Sequence, residues 1–423
     1  MTPSVVAIVG ANLAGGRAAE GLRRRGFTGR IVLFGAEPHA PYERPPLSKA
    51  ALSKAAPGGA EFSPAWLRSA QQWAELDVEL ALNERVTRLL AAGRTVETGS
   101  GRALRADAVL LATGGRSRPL GVAGEDLAGV HHLRTHDDAM ALRAALAPGR
   151  RVVVIGGGFI GTEVAASATA AGCDVTVVER APVILERGLG RRWGRWMERL
   201  HAGHGVRIVT GHRVLGLGGS TGQVRYVELD DGRTLDADVV VIGVGLLPAT
   251  ELADGAGVAL AGGVPGVLVD EAAATTVPGI WAAGDVTVQP LAGRAGLVRL
   301  ESWQNAQDQA DVAAASMLGQ PLPKRPVPWF WSDQYDVNIQ IAGALGEEAG
   351  DEVVLRGDQD GTSWLAFRLH AGRVAGVVGL NRGREVRAAM RLIERGSLVS
   401  AGELADESVD LRRAGVTGHQ FTG

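Results

Sequence analysis

Two glycine-rich turns each stand between an apolar, β-branched run and an Ala-rich stretch, and each is followed by a second such run that ends in a carboxylate. The complete turn reads Gly156-Gly157-Gly158-Phe159-Ile160-Gly161, after Val152-Val153-Val154-Ile155 and before Val175-Thr176-Val177-Val178-Glu179. Glycines at the first, third and sixth positions let a strand turn sharply into a helix while backbone amides approach a pyrophosphate at the positive helix end. Glu179, 23 residues after Gly156, is placed to receive ribose hydroxyls, and its charge repels a 2′-phosphate. That combination favours NADH over NADPH, with Arg180 beside it offsetting part of the preference.

The other turn, Gly10-Ala11-Asn12-Leu13-Ala14-Gly15, follows Val5-Val6-Ala7-Ile8-Val9, and the next strand, Ile31-Val32-Leu33-Phe34, ends near Glu37. Asn12 occupies the position of the second glycine. Asn tolerates a positive φ better than most residues, and its amide can donate to a phosphate. Read alone, this copy is either a second nucleotide turn or a turn kept for packing. A third element, Ile280-Trp281-Ala282-Ala283-Gly284-Asp285, brings a strand into a Gly-Asp pair, where Asp285 can take a ribityl hydroxyl beside backbone amides.

Positioning these groups requires strands that alternate with helices, which predicts an α/β fold built from parallel βαβ units. The turn recurs 146 residues later, from Gly10 to Gly156, so two nucleotide-type domains are expected. The runs ending in Ala112-Thr113-Gly114 and Gly243-Val244-Gly245 are expected to be the crossings between them. After Lys324 the pattern changes to short alternating strands and a helical tail from about Arg384, the pattern of a third, α+β domain.

Composition narrows the function. Glycine supplies 60 of 423 residues, roughly twice ordinary usage, without a Gly-X-Y period, so the excess serves turns and close backbone approaches. The balance of 44 basic against 46 acidic side chains gives no footprint for nucleic acid or membrane. The run at Val5 has no basic segment before it, and no stretch of about 18 apolar residues occurs, so neither a secretory leader nor a membrane span is expected, and a cytoplasmic location is. A single cysteine excludes an intramolecular disulfide, a Cys-only iron–sulfur site and a Cys-rich zinc module.

With Pro41-Tyr42-Glu43-Arg44-Pro45-Pro46-Leu47-Ser48-Lys49, Ala112-Thr113-Gly114, the Gly156 to Gly161 turn and Trp329-Phe330-Trp331-Ser332-Asp333-Gln334-Tyr335 in this order, the chain resembles, over essentially its whole length, the FAD-dependent ferredoxin reductases of the putidaredoxin reductase type. The resemblance implies a Rossmann-like FAD domain split over 1–113 and 245–324, an inserted NAD domain at 114–244 and a C-terminal α+β interface domain at 325–423. It implies that Gly10, Asn12, Ala14 and Gly15 form the FAD pyrophosphate turn, with Glu37 at the adenosine ribose and Val86 near the adenine. Arg44 and Lys49 are expected on the flavin side, and Gly284-Asp285 at the ribityl chain. Gly156, Gly158, Ile160, Gly161 and Glu179 are expected to hold NADH.

Glu163 is then expected to point from the NAD helix towards Lys49, where such a pair orients the flavin N5 region and balances charge during hydride transfer. Without the resemblance, the two are a solvated lysine and an ordinary helical glutamate. Trp303 and Trp331 are candidates for an aromatic wall at the flavin, core packing being the other reading of Trp303. Ala249 stands where relatives usually carry Asn, which removes one polar contact near the second crossing.

The cysteine count then discriminates. Disulfide reductases of this superfamily need redox cysteines near the first helix, and here Pro45-Pro46-Leu47-Ser48-Lys49 contains no sulfur. Cys173 is expected to be structural. The implied activity is transfer of a hydride from NADH to FAD, then of single electrons to a [2Fe-2S] ferredoxin serving a cytochrome P450 or a ring-hydroxylating oxygenase. A rubredoxin reductase is the nearest variant, and an NAD(H)-responsive flavoprotein like apoptosis-inducing factor is the alternative from another class.

The remaining candidates carry less. His131, His132 and His136, or His201 and His204, show no third ligand at regular spacing, so no metal is expected and solvated or capping roles are. Trp193, Trp196 and Leu200 share one face of an Arg-rich helix, read as a core stripe with a solvated face or as a docking surface for an acidic ferredoxin.

Overall fold

Val5–Val9 is apolar at every position, the pattern of a strand covered on both faces, and it takes the centre of a five-stranded parallel sheet. The strands run in the order Ile280–Ala282, Ala108–Leu111, Val5–Val9, Arg30–Phe34 and Val78–Ala81. In this computed structural model, which describes residues 3–53, 62–291, 296–345 and 351–415, the sheet belongs to the first of two units, formed by Met1–Pro46, Ser63–Arg116 and Leu246–Arg325. The helix Leu13–Arg24 presents Ala18, Ala19 and Leu22 to the core that Ala310, Ala313 and Ala314 of the helix Trp303–Met317 also enter. Small residues permit that approach: a Cβ on Gly21 would stand 3.1 Å from the Ala314 methyl.

The second unit comprises Leu47–Phe62, Ser117–Gly245 and Pro326–Gly423. Its parallel sheet has the order Arg207–Thr210, Asp174–Glu179, Arg151–Ile155, Val239–Ile242 and Val130–His132. The helix Phe159–Ala170 follows the central strand and is buried on nearly every side. An antiparallel sheet of Trp329–Gln334, Val337–Gly343, Arg373–Leu380, Trp364–His370 and Glu352–Gly357 carries the helix Gly383–Arg395 on one face. The last eight residues of the expected C-terminal domain, 416–423, lie outside the described residues. Among the described residues, no helix is long and apolar enough to cross a membrane.

Residues 47–53 and Phe62 group with the second unit, although the expected FAD stretch includes them. The reason is polar: Ser167 Oγ on the helix Phe159–Ala170 donates to the Ser48 carbonyl at 2.7 Å, and Ser48 and Lys49 both bond Glu163 on the same helix. The Arg-rich helix Glu186–Gly203 buries Trp193 and Trp196, and Trp364 stacks on Trp193 at 4.3 Å. Those two tryptophans are therefore a core stripe.

Candidate functional site

In the first turn, Gly10 adopts φ +120°, and a Cβ there would come within 2.1 Å of the Ala112 carbonyl oxygen. Gly15 is equally constrained, its Cβ position lying 2.0 Å from the Gly10 oxygen. Asn12 departs from the expectation drawn from its type. Its φ is −118°, so the tolerance of Asn for a positive φ is not used. Its amide nitrogen donates to the Ala112 oxygen at 2.7 Å rather than outwards, while its Oδ1 caps the helix by accepting from the Gly15 amide at 3.5 Å. Asn12 thus ties the turn to the neighbouring strand. Ala14 lies under Gly284, which has φ +85° and donates its amide to Gln309 Oε1 at 2.8 Å, so the Gly284-Asp285 pair is held against the start of this helix.

Glu37 and Arg44 meet in this unit. The Glu37 carboxylate receives Arg44 Nη2 at 2.7 Å and the Tyr42 hydroxyl at 2.6 Å. Burial pushes the Glu37 carboxyl up, but the Arg44 charge and the Tyr42 hydrogen bond outweigh it and hold the pKa below its ordinary value. Burial likewise opposes the Arg44 charge, and Tyr42, Glu37 and Asp285 more than restore it. Arg44, expected on the flavin side, and Glu37, expected at the ribose, share one ion pair. A carboxylate offers about four acceptor sites, so Glu37 retains capacity for ribose hydroxyls. Val86 begins the strand Val86–Leu90 and packs in a core cluster with Val9 and Phe34. Trp303, half-buried, packs on the core under the helix that it begins.

Ala249 needs no side chain for the crossing. Its amide donates to the Gly114 oxygen at 3.0 Å, and its carbonyl accepts from Thr113 Oγ1 at 2.8 Å.

The second turn divides its glycines by task. Cβ atoms on Gly156 and Gly161 would stand 2.5 Å from the Gly243 oxygen and 1.9 Å from the Gly156 oxygen. Gly158 has φ −78° and nothing within 4 Å of its Cβ position, and Ile160 beside it is 46% exposed despite being apolar. Gly156 and Gly161 are demanded by the fold, whereas Gly158 keeps a surface open at a helix N-terminus. That cradle fits a dinucleotide pyrophosphate. Glu179 accepts from the Gly157 and Ala181 amides, each at 2.7 Å, which fixes its carboxylate at the edge of the turn.

The expected Lys49–Glu163 pair forms, with Nζ 2.6 Å from Oε2. Glu163 is 2% exposed. Ser48 Oγ donates to the same Oε2, and Ser332 Oγ donates to Oε1 at 2.6 Å. Behind Ser332 lie groups whose part the sequence reading missed. Gln334 Nε2 donates to Ser332 Oγ at 3.0 Å and to Thr162 Oγ1 at 2.9 Å. His201 Nε2 meets Gln334 Oε1 at 2.8 Å, and the Tyr335 hydroxyl meets His201 Nδ1 at 2.9 Å. His201 is wholly buried, not solvated, and burial first of all pushes its pKa down to about 4. The available signal was period-two patterning: Ser332 and Gln334 share the strand face that carries Phe330 against Phe159, while Trp331 lies on the opposite face, stacked on Trp329 at 5.0 Å. Cys173 is 7% exposed, with Sγ 3.2 Å from the Ala147 oxygen.

Comparison with known proteins places these features in context. Residues 4–310 match the family model described as pyridine nucleotide-disulphide oxidoreductase, and residues 329–415 match the reductase C-terminal model. The chain is 42% identical over 408 residues, 96% of this chain and 97% of the relative, to the biphenyl dioxygenase system ferredoxin–NAD(+) reductase component of Paraburkholderia xenovorans (strain LB400). The reductase in the crystal structure of the covalent putidaredoxin reductase–putidaredoxin complex superposes with a TM-score of 0.90 at 37% identity, covering 97% of each chain. The ferredoxin reductase for the CYP199A2 system from Rhodopseudomonas palustris gives a TM-score of 0.90 at 37% identity, covering 97% of this chain and 99% of that one.

Proposed function

The chain belongs to the pyridine nucleotide-disulphide oxidoreductase family and carries that family's reductase C-terminal domain, and from this we propose that it is an NADH-dependent ferredoxin reductase. Its relatives include a ferredoxin–NAD(+) reductase component of a dioxygenase system and a reductase captured with putidaredoxin. The electron acceptor is a [2Fe-2S] ferredoxin that serves an oxygenase, in the cytoplasm.

One observation carries the reading. Where a disulfide reductase would place sulfur, this chain offers Ser48 and Lys49, bonded to Glu163 on the helix that opens with the Gly156 to Gly161 turn. The only thiol is buried against the Ala147 carbonyl. FAD, when bound, accepts a hydride as an electron pair and releases electrons one at a time. The protein supplies binding and electrostatics. Gly10, Ala14 and Gly15, with Glu37, Arg44 and Asp285, would hold it, Asn12 would keep their turn in shape, and Ala112 to Gly114, Gly243 and Gly245 would carry the chain between its domains. Gly156, Gly158, Ile160, Gly161 and Glu179 would hold NADH. Lys49 presents a cation at the hydride-transfer site, and Glu163 fixes its direction.

The test is turnover. FAD-loaded protein given NADH is expected to reduce a [2Fe-2S] ferredoxin, read as cytochrome c reduction in a coupled assay. Failure to pass electrons to any such ferredoxin or to ferricyanide would overturn the assignment.

A further inference from the structure

The hydrogen positions around Glu163 can be read outwards from the carboxylate, which only accepts. Ser332 must give its hydroxyl proton to Oε1, so its lone pairs are left to accept from Gln334. Thr162 gives its own proton to the Gly158 or Phe159 carbonyl, each 3.0 Å away, so it too accepts from Gln334. Both neighbours therefore require the NH2 group of Gln334, and its oxygen must face His201. That oxygen cannot donate, so the His201 proton sits on Nε2, and Nδ1 accepts from the Tyr335 hydroxyl. Every donor in the series points towards Glu163, and in a buried, weakly screening setting each bond polarises the next.

A second observation concerns Tyr335 itself. It lies at the tip of the hairpin between Trp329–Gln334 and Val337–Gly343 with φ +56°, a left-handed conformation that costs a bulky residue about 1–2 kcal/mol where glycine or Asn would be at ease. The surroundings hold it there: the hydroxyl is bonded to His201, and its ring stacks on His204 at 3.7 Å with planes 9° apart.

We propose that His201 is a positioning residue for the hydride-transfer site, acting through Gln334 and Ser332 to aim the Glu163 carboxylate at Lys49. This rests on the reading that Lys49 and Glu163 stand at that site. Gln334 Oε1 sets the His201 tautomer, and the Tyr335 hydroxyl complements it by donating to Nδ1. The segments that supply Ser48, Glu163, His201 and Ser332 to Tyr335 are thereby joined by one direction of hydrogen bonding.

The experiment uses the full-length, FAD-loaded protein. Imidazole 15N NMR on histidine-labelled protein should find His201 in the Nε2–H form. Glu163→Gln, which lets residue 163 donate, should shift that tautomer population. A His201 found as Nδ1–H, or indifferent to Glu163→Gln, overturns the proposal. In stopped flow at saturating NADH, His201→Phe should slow flavin reduction roughly tenfold. NADH affinity should be unchanged, and no further loss should appear in the Glu163→Gln background. Tyr335→Phe, which keeps both rings, should slow it in the same direction and serves if His201→Phe does not fold. Slowing by Glu163→Gln with normal rates in both His201→Phe and Tyr335→Phe removes His201 alone from the site. An unaffected Glu163→Gln removes the underlying reading as well.

Discussion

Lys49 Nζ lies 2.6 Å from Glu163 Oε2, yet the two side chains differ in burial, at 20% and 2% exposure. The pair is thus anchored at the glutamate and open at the lysine. Removing the anchor is the costlier change, because Glu163→Ala takes away the carboxylate that Lys49, Ser48 and Ser332 share.

Glu163→Ala is expected to lower unfolding free energy by roughly 3–5 kcal/mol, the range for breaking a buried pair, and Lys49→Ala by less. Both should slow flavin reduction by NADH. Urea denaturation and stopped-flow absorbance check this, and rates equal to the unsubstituted enzyme in both variants would return the pair to a structural role.

Gly158 and Gly161 of the second turn should separate stability from binding. Gly158→Ala meets open space at φ −78°, so the fold should persist while NADH affinity falls. Gly161→Ala drives a methyl to 1.9 Å from the Gly156 oxygen, so soluble, folded yield should collapse. Fluorescence titration with NADH and thermal unfolding distinguish the two. An intact Gly161→Ala protein, or full NADH affinity in Gly158→Ala, would refute this division.

Glu179→Ala removes both the carboxylate proposed to receive the ribose hydroxyls and the acceptor of the Gly157 and Ala181 amides. The ratio of kcat/KM for NADH over NADPH should narrow by about tenfold, the worth of one charge-assisted hydrogen bond. An unaltered ratio would mean that discrimination resides elsewhere.

His201 gives a pH dependence of definite sign. Its pKa falls from 6.5 to about 4 on folding, so the unfolded chain binds more protons between those values. Its contribution to stability is complete above about pH 6.5 and is lost as pH falls towards 4, on the order of 3 kcal/mol in all. Asp308, raised to about 6 by burial, works in the opposite sense over an overlapping range. The comparison is therefore between wild type and His201→Phe, whose stability difference should shrink on acidification. A difference constant from pH 7 to pH 4.5 would contradict the shift.

Local steric demands were readable in the sequence, and long-range polar assembly was not. Gly10 and Gly156 announce their turns by their place between an apolar run and an Ala-rich stretch, although the oxygens that exclude a Cβ there, of Ala112 and Gly243, come from distant parts of the chain. The strands of the third section were equally plain, since alternation is local. By contrast, the surroundings of Glu163 come from Ser48, His201 and Ser332, far apart in the chain, and only the tertiary fold turns a histidine read as solvated into one wholly buried. Asn12 shows the intermediate case. Its place in the turn was visible, but its partner, the Ala112 carbonyl, belongs to another strand. Ala249 was read as a lost contact because side-chain type was the only information, whereas its backbone alone makes the two bonds.

The first unit's dependence on three chain segments sets an order of events during synthesis. Leu13–Arg24 finds its packing partner only when Met317 has left the ribosome, roughly 15–60 s later at about 5–20 residues per second. The parallel sheet from Val130–His132 to Val239–Ile242 is contiguous and can close well before then. The nascent protein therefore carries a closed second parallel sheet while the first core still lacks Ala310, Ala313 and Ala314, which makes that interval the natural window for chaperone engagement.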